Sequence, residues 1–258
     1  MTISIITATY NSEATIRDTL ESVLDQTHTD IDYVIVDGAS QDRTMDIVRE
    51  MAPAFGGRLR YISESDGNIY EAMNKGLKMA KGEVVGILNS DDYYTSDDVL
   101  ENVAVVMADK GVEAVYGDVH YVRPEDLTKC VRYYSSKLFH PRWFRLGFIP
   151  AHPSFYCRRS CYEQYGAYNM DYTISADFEL MLRFMKINGI KTKYIPLDFV
   201  TMRYGGLSTS GWQSHQKITK DILRALKSNG IYSNSFLVNS RYIYKILSLL
   251  YFRYIRRK

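Results

Sequence analysis

The stretch "EVVGILNSDD", residues 83–92, decides the fold. Val84, Val85, Gly86, Ile87 and Leu88 run without a polar interruption, the mark of a strand buried on both faces, and such strands belong to parallel sheets covered by helices. The run stops on Asn89-Ser90-Asp91-Asp92. Two adjacent carboxylates repel one another, so a strand that delivers both from a core to a rim asks for something positive there. The plainer reading is a turn and helix cap with both groups in water.

On either side of this stretch, strand-like and helix-like segments alternate. "ISIITA" (3–8), "IDYVIVD" (31–37), "RLRYIS" (58–63) and "VEAVYGDV" (112–119) read as strands. The spacing predicts helices over 12–26, with Ser12 as N-cap, over 42–51, over 68–82 closed by Gly82, and over 96–111. Ligands of such βαβ sheets bind at the carboxyl ends of the strands. The residues found there are Thr7 to Asn11, then Asp37-Gly38, then Ser65-Asp66-Gly67, then Ser90-Asp91-Asp92, so carboxylates converge on one rim. Farther along, 175–189 reads as a helix, 192–204 as strand on both sides of Pro196, and 211–230 as a helix.

The 258 residues fit one large α/β domain with an appendage. Residues 215–258 hold ten Lys and Arg against one acid, Asp221, whereas 22 basic and 29 acidic side chains precede them. The basic tail points to a polyanionic partner. Three cysteines, Cys130, Cys157 and Cys161, make no disulfide framework and suit a reducing compartment. The N-terminal residues carry no signal-peptide pattern, and no apolar run is long enough to span a membrane. A cytoplasmic protein is expected, peripheral on the inner face of the membrane if the tail attaches there.

No G-x-G-x-x-G follows the first strand and no G-x-x-x-x-G-K-[ST] is present, which disfavours a dehydrogenase-type dinucleotide fold and a P-loop enzyme. Carboxylates that handle phosphate without those cradles call for a divalent cation, Mn²⁺ or Mg²⁺, which takes one or two carboxylates together with substrate phosphates. Asp91 and Asp92 are the candidate ligands.

The segments "TISIITATYNSEATIRDTLESVLDQ", "VIVDGASQDRT", "GNIYEAMNKGLKMAKGEVVGILNSDD" and "SADFELMLR" resemble the family-2 glycosyltransferases over roughly residues 1–210. The resemblance implies a GT-A fold and an inverting, metal-dependent transfer from a nucleotide-diphosphate sugar to a hydroxyl of a glycan or lipid-linked acceptor; Asp37 fits a uracil imide donor, which favours UDP-sugars, and a guanine N–H would satisfy it too. The resemblance divides the chain into a domain over 1–210, with a nucleotide-sugar half (1–119) and an acceptor half (120–210), and a basic helical extension over 211–258. It implies that Thr7 and Tyr10 lie against the nucleoside, that Asp37 hydrogen-bonds the base, that Asp91 ligates the metal as the last position of a D-x-D-like motif, and that Asp177 is the catalytic base. Asp66 and Asn74 are donor contacts or helix-capping and packing residues, and Ser90 joins the donor set. His152 lines the acceptor side or is structural.

The chain departs from the family pattern at Asn89, where the first Asp of D-x-D would stand, at Ala176, where a Glu would precede Asp177, and at Gly38, in place of a second Asp. These departures leave a non-catalytic nucleotide-sugar-binding scaffold as one alternative. A nucleotide-sugar pyrophosphorylase is another, disfavoured because "ATYNSEAT" is neither glycine-rich nor basic. In the tail, Ile243, Ile246, Leu247, Leu250 and Tyr254 form an apolar stripe opposite Arg241, Lys245 and Arg256. That pattern suits an anionic membrane surface rather than nucleic acid, or packing on the domain or on a second copy in a homodimer. "GGLS" (205–208) reads as a lid over the diphosphate or a plain loop.

Overall fold

The apolar runs become the expected strands in a computed structural model that describes residues 1–205 and 211–242. Strands β1 (Ile3–Thr9), β2 (Ile31–Asp37), β3 (Leu59–Ser63) and β4 (Val84–Ile87) pair in parallel in the order β3-β2-β1-β4. Every residue of β1 and β2 is buried, as strands covered on both faces must be. Helices α1 (Ile16–Leu24), α2 (Thr44–Met51), α3 (Ile69–Met79) and α4 (Val99–Met107) provide the cover. Val34, Val36, Val85 and Ile87 pack on one side with Tyr70, Ala72 and Met73 of α3; Ile3, Ile5, Ile35 and Val84 pack on the other with Leu20 and Val23 of α1 and Val103 of α4.

The second half extends the same sheet. It contributes β5 (Tyr93–Tyr94), β6 (Ala114–Arg123), β7 (Asp126–Tyr134), β8 (Tyr156–Arg158) and β9 (Thr192–Arg203). Among the described residues the order is β3-β2-β1-β4-β8-β6-β9-β5, with β7 paired to β6. The short strand β8 runs antiparallel to both β4 and β6, and β9 is parallel to β6, so β4, β6 and β9 all end at the same rim. The expected GT-A architecture, a mostly parallel sheet with helices on both faces, is therefore present. Helices α5 (Arg159–Tyr165), α6 (Ala176–Met181) and α7 (Gly211–Ser228) complete the described elements named here, followed by helical residues 235–242.

The link between β4 and β5 shapes the sheet. Four interstrand steps separate those strands in the sheet order, roughly 19 Å in a flat sheet at ~4.8 Å per step. Residues 88–92 join them, and Asp92 N–H donates to the Asn89 carbonyl at 3.1 Å, so the link turns rather than stretches. The sheet must curl to bring β5 back towards β4. The Tyr94 and Tyr156 hydroxyls, 2.5 Å apart, bridge β5 to β8 across that curl. Gly86 makes room for it, since a Cβ there would lie 2.2 Å from the Tyr156 ring.

Several expected boundaries move. The first helix begins at Ile16, because Asn11 adopts a left-handed φ of 48° and Ser12 is drawn to the strand rim, so Ser12 does not cap it. The third helix ends before Ala80 rather than at Gly82, and Asn68 caps its start by accepting from the Tyr70 and Glu71 amides. The helix expected over 175–189 is α6 followed by a π-helical turn, Leu182–Ile187. Strand β9 runs through Pro196, where its register with β6 slips, so the missing N–H falls at an irregularity. Residues 206–208 of the "GGLS" loop and the tail stripe over 243–258 lie outside the described residues.

Candidate active site

Asp91 and Asp92 leave the end of β4 in different directions. Asp92 is 1% exposed. Its Oδ2 accepts from Asn89 Nδ2 at 2.8 Å and its Oδ1 from the Arg203 backbone N–H at 3.3 Å. Burial, then the neighbouring Asp91 charge, pushes its carboxyl well above the ordinary carboxylate range. Asn89 thus has a local use: its amide donates where a carboxylate would repel Asp92. Asp91 is partly accessible, and burial raises its carboxyl too, opposed by the Arg203 charge. Asp91 is therefore the carboxylate of the pair left to face a ligand, and Asp92 points to the core.

The positive group that the carboxylate pair asks for is Arg203, at the carboxyl end of β9. Its Nη1 donates to the Asp91 carbonyl at 2.7 Å, its Nη2 pairs with Asp18, and its guanidinium lies 5.1 Å from the centre of the Tyr93 ring. Sequence reading missed Arg203. It lies 112 residues from Asp91, and only the curl brings them together.

The β1 and β2 rim loops are tied together. Asn11 N–H donates to Ser40 Oγ at 2.8 Å, and Gln41 N–H donates to Asn11 Oδ1 at 2.9 Å. Asn11 and Ala39 both hold left-handed φ, 48° and 61°, a cost of order 1 kcal/mol each that a fixed loop pair must offset. Ser12 and Ser90 hydroxyls meet at 2.9 Å, and Thr15 Oγ1 donates to the Ser90 carbonyl at 2.8 Å, fastening the α1 loop to the β4 rim.

The expected donor residues fall into two groups. Tyr10 is 62% exposed. A Cβ on Gly38 would sit 3.4 Å from its ring and 3.7 Å from Asp66 Oδ2, so Tyr10, Gly38 and Asp66 surround one space. Asp66 Oδ1 pairs with Lys75, while the buried Oδ2 has no hydrogen-bond partner among the described residues. The other group is engaged within the protein. Thr7 is wholly buried, its hydroxyl donating to the Leu88 carbonyl at 2.8 Å. Asp37 is wholly buried and accepts from Ser40 N–H, Ser40 Oγ and Ser63 Oγ at 3.0, 2.5 and 2.6 Å. Asn74 exchanges two hydrogen bonds with the Tyr168 backbone, at 2.9 and 3.0 Å.

Asp177 lies in the first turn of α6. Its carboxylate accepts from the Phe178 N–H at 2.8 Å, and burial lifts its carboxyl to about 6. The Tyr70 hydroxyl donates to the Ile174 carbonyl, which fixes this turn against the start of α3, at the carboxyl rim of β3. Tyr70 stacks on Tyr168 at 5.8 Å, and burial, then the Asp177 charge, raises both phenols. The Tyr168 hydroxyl meets His152 Nε2 at 2.7 Å, and burial lowers that imidazole to about 4, which favours its neutral form. Glu179 is committed elsewhere: it forms a two-pronged pair with Arg183, at 3.0 Å on each side, and Arg183 also donates to the carbonyls of Tyr165, Gly166 and Ala167.

Among the described residues no three His, Cys, Asp or Glu side chains group as metal ligands. The donor set fits Mn²⁺ or Mg²⁺ only in the form those ions take with phosphorylated substrates, one or two carboxylates completed by phosphate oxygens and water. Asp91, a carboxylate with no side-chain hydrogen bond among the described residues, meets that requirement.

The family model described as glycosyl transferase family 2 matches residues 4–166. A PGL/p-HBAD biosynthesis glycosyltransferase of Mycobacterium bovis is 31% identical over 209 residues, covering 80% of this chain and 79% of the relative. Among solved structures, S. aureus TarS 1–349 in complex with UDP-GlcNAc superposes with a TM-score of 0.64 at 20% identity, covering 86% of this chain and 67% of that one; the chain spans 40% of a longer TarS chain. The mannosyltransferase PcManGT from Pyrobaculum calidifontis, in complex with GDP-Man and Mn²⁺, gives a TM-score of 0.66 at 20% identity, covering 87% and 64% of the two chains.

Proposed function

The chain belongs to glycosyl transferase family 2, and from that premise we propose that it transfers a sugar, with inversion, from a UDP-sugar to a hydroxyl of a glycan or lipid-linked acceptor. The observation that carries the reading is Asp177, a carboxyl lifted to about 6 at the sheet rim. A general base works best when its pKa lies near the operating pH, and this one is mostly ionised at neutrality yet still avid for a proton.

The reaction is one displacement. The acceptor oxygen forms a bond to the anomeric carbon as the bond from that carbon to the diphosphate oxygen breaks. The acceptor proton passes to an Asp177 carboxylate oxygen, and UDP leaves with the electron pair. Tyr10 offers a ring face to the base, and Asp66, which borders the same space beside Gly38, is the carboxylate we assign to the imide N–H of uracil. Asp37, Thr7 and Ser90 support the rim loops from within. Asp91 would hold a divalent cation, which would supply charge neutralisation for the leaving group. The Arg203 guanidinium adds a fixed positive charge beside the same carboxylate. The stripe and basic residues of the tail support attachment to the cytoplasmic face of an anionic membrane.

The test is a panel of UDP-, GDP- and dTDP-sugars assayed for Mn²⁺-dependent hydrolysis. Turnover of UDP-sugars is expected. Binding of nucleotide with no hydrolysis of any donor would replace this reading with a non-catalytic scaffold.

A further inference from the structure

Lys75 stands among three carboxylates. From α3 its ammonium pairs with Asp66, with Glu64 at 2.8 Å and with Glu71 at 3.6 Å, and it donates to the Ser65 carbonyl at 3.3 Å. The hydrogen bond to Asp66, then that to Glu64, raises the ammonium above its ordinary value, so it stays charged at any working pH. Glu71 accepts from the Gly67 N–H at 2.7 Å. The loop from Glu64 to Gly67 is thereby tied to α3 on both sides of Asp66.

The clamp takes one oxygen of Asp66 only. Oδ1 meets Lys75 and the side chain is 7% exposed, yet Oδ2 has no hydrogen-bond partner among the described residues. A buried carboxylate oxygen without a donor is costly, and it marks a place for a donor brought by a ligand. Oδ2 borders the space beside Gly38 that the Tyr10 ring also borders. That ring is 62% exposed and its hydroxyl makes no hydrogen bond among the described residues, so little resists its turning onto an incoming base. Asp37, next to Gly38, is saturated by Ser40 and Ser63, and residue 38 has no side chain of its own.

An aromatic face beside a single acceptor discriminates among bases. Uracil presents one imide N–H between two carbonyls. Guanine presents two N–H groups side by side, which match both oxygens of a carboxylate as an arginine fork does. Cytosine turns a ring-nitrogen lone pair to the place of the imide N–H. We propose that Lys75 is the positioning residue that sets base preference: by occupying Oδ1 of Asp66 it leaves one acceptor for the base and so selects a uracil-type imide over guanine. The proposal rests on the nucleotide-sugar reading above and names the residue that tunes it.

UDP, GDP and CDP are titrated by calorimetry, with saturating Mn²⁺, into the parent, Lys75→Met and Asp66→Asn, with melting temperature as the check of folding. The parent binds UDP at least about tenfold more tightly than GDP or CDP, the size of one charge-assisted hydrogen bond. In Lys75→Met both oxygens of Asp66 are free, and the UDP-over-GDP ratio falls about tenfold. In Asp66→Asn the amide oxygen stays on Lys75 and the amide nitrogen turns to the base, so preference moves from UDP towards CDP, whose ring nitrogen accepts. A purely structural clamp would weaken the three nucleotides alike and leave both ratios unmoved. Such parallel losses, a parent with no preference for UDP, or an unchanged UDP-over-CDP ratio in Asp66→Asn overturns the proposal. If Lys75→Met does not fold, the Asp66→Asn ratio decides alone. Mn²⁺-dependent binding of any of the three by the parent upholds the donor reading in each of these outcomes; absence of binding for all three removes that reading and the proposal with it.

Discussion

Arg203 donates from Nη1 to the backbone carbonyl of Asp91 at 2.7 Å, joining the last residue of β9 to the link that carries the paired carboxylates. This cation lowers the cost of holding Asp91 and Asp92 together, and it opposes the burial that raises both carboxyls. Arg203→Ala should destabilise the fold by about 1–3 kcal/mol, the range for buried hydrogen bonds from charged groups. Affinity for UDP with Mn²⁺ should fall roughly tenfold as a fixed charge beside the diphosphate is lost. Thermal melting and calorimetry read the two effects, and parental values in both would remove Arg203 from the site.

The two carboxylates should separate cleanly under mutation. Asp91→Ala is expected to abolish Mn²⁺-dependent UDP binding with little change in melting temperature, because its carboxylate faces the rim. Asp92→Asn should keep UDP affinity within about threefold, because burial already favours the neutral form and an amide oxygen can still accept a hydrogen bond. The reverse pattern would hand the metal to Asp92.

Asp177 is expected to set the acid limb of activity. With its carboxyl at about 6, transfer should fall roughly tenfold per pH unit below that value as the base becomes protonated. Stability responds with the opposite sign. Below the ordinary value of 3.8 both folded and unfolded states hold the proton and Asp177 has no effect. Between 3.8 and about 6 the unfolded chain has lost the proton and the folded one has not, so ionisation progressively lowers stability as pH rises. Asp177→Asn should remove both dependences and reduce kcat by roughly 10²–10⁴ with donor affinity kept. An unchanged acid limb in Asp177→Asn would assign that limb to another group.

Gly86→Ala tests the curl. The new methyl would lie 2.2 to 2.6 Å from three atoms of the Tyr156 ring, which is wholly buried and held by Tyr94. Overpacking of this kind typically costs about 1–3 kcal/mol, more where the neighbour cannot move. A drop in melting midpoint is expected, and an alanine tolerated without loss would mean that Tyr156 has another place to go.

The parallel half of the sheet was legible because β1, β2 and β4 are apolar on both faces, a pattern no amphipathic helix shares. Strand β8 was not, because three residues carry no periodicity, and β7 was not, because its polar residues meet only β6. The rim carboxylates could be found from their positions at strand ends, but their directions could not. Nothing in "NSDD" tells that Asn89 turns Asp92 inward, or that Asp37 is saturated by Ser40 and Ser63. The orphan oxygen of Asp66 and the Arg203 contact depend on residues brought together only by the folded sheet. Glu179, which the sequence offers as easily as Asp177 for a base, is withdrawn by Arg183, a partner four residues on.

The turn that joins β4 to β5 leaves this part of the chain no slack. Its five residues close a curl whose two banks are pinned, on one side by the buried pairing of β4 with β1 and on the other by β5 on β9. Length, as much as chemistry, is therefore fixed between Leu88 and Tyr93. An extra residue there has nowhere to bulge without turning Asp91 away from the rim or freeing Asn89 from Asp92. Loops are the usual places where a chain absorbs insertions, and this one behaves as a gauge block: related chains that vary freely in the exposed turn between β6 and β7 should hold the spacing from β4 to β5 constant.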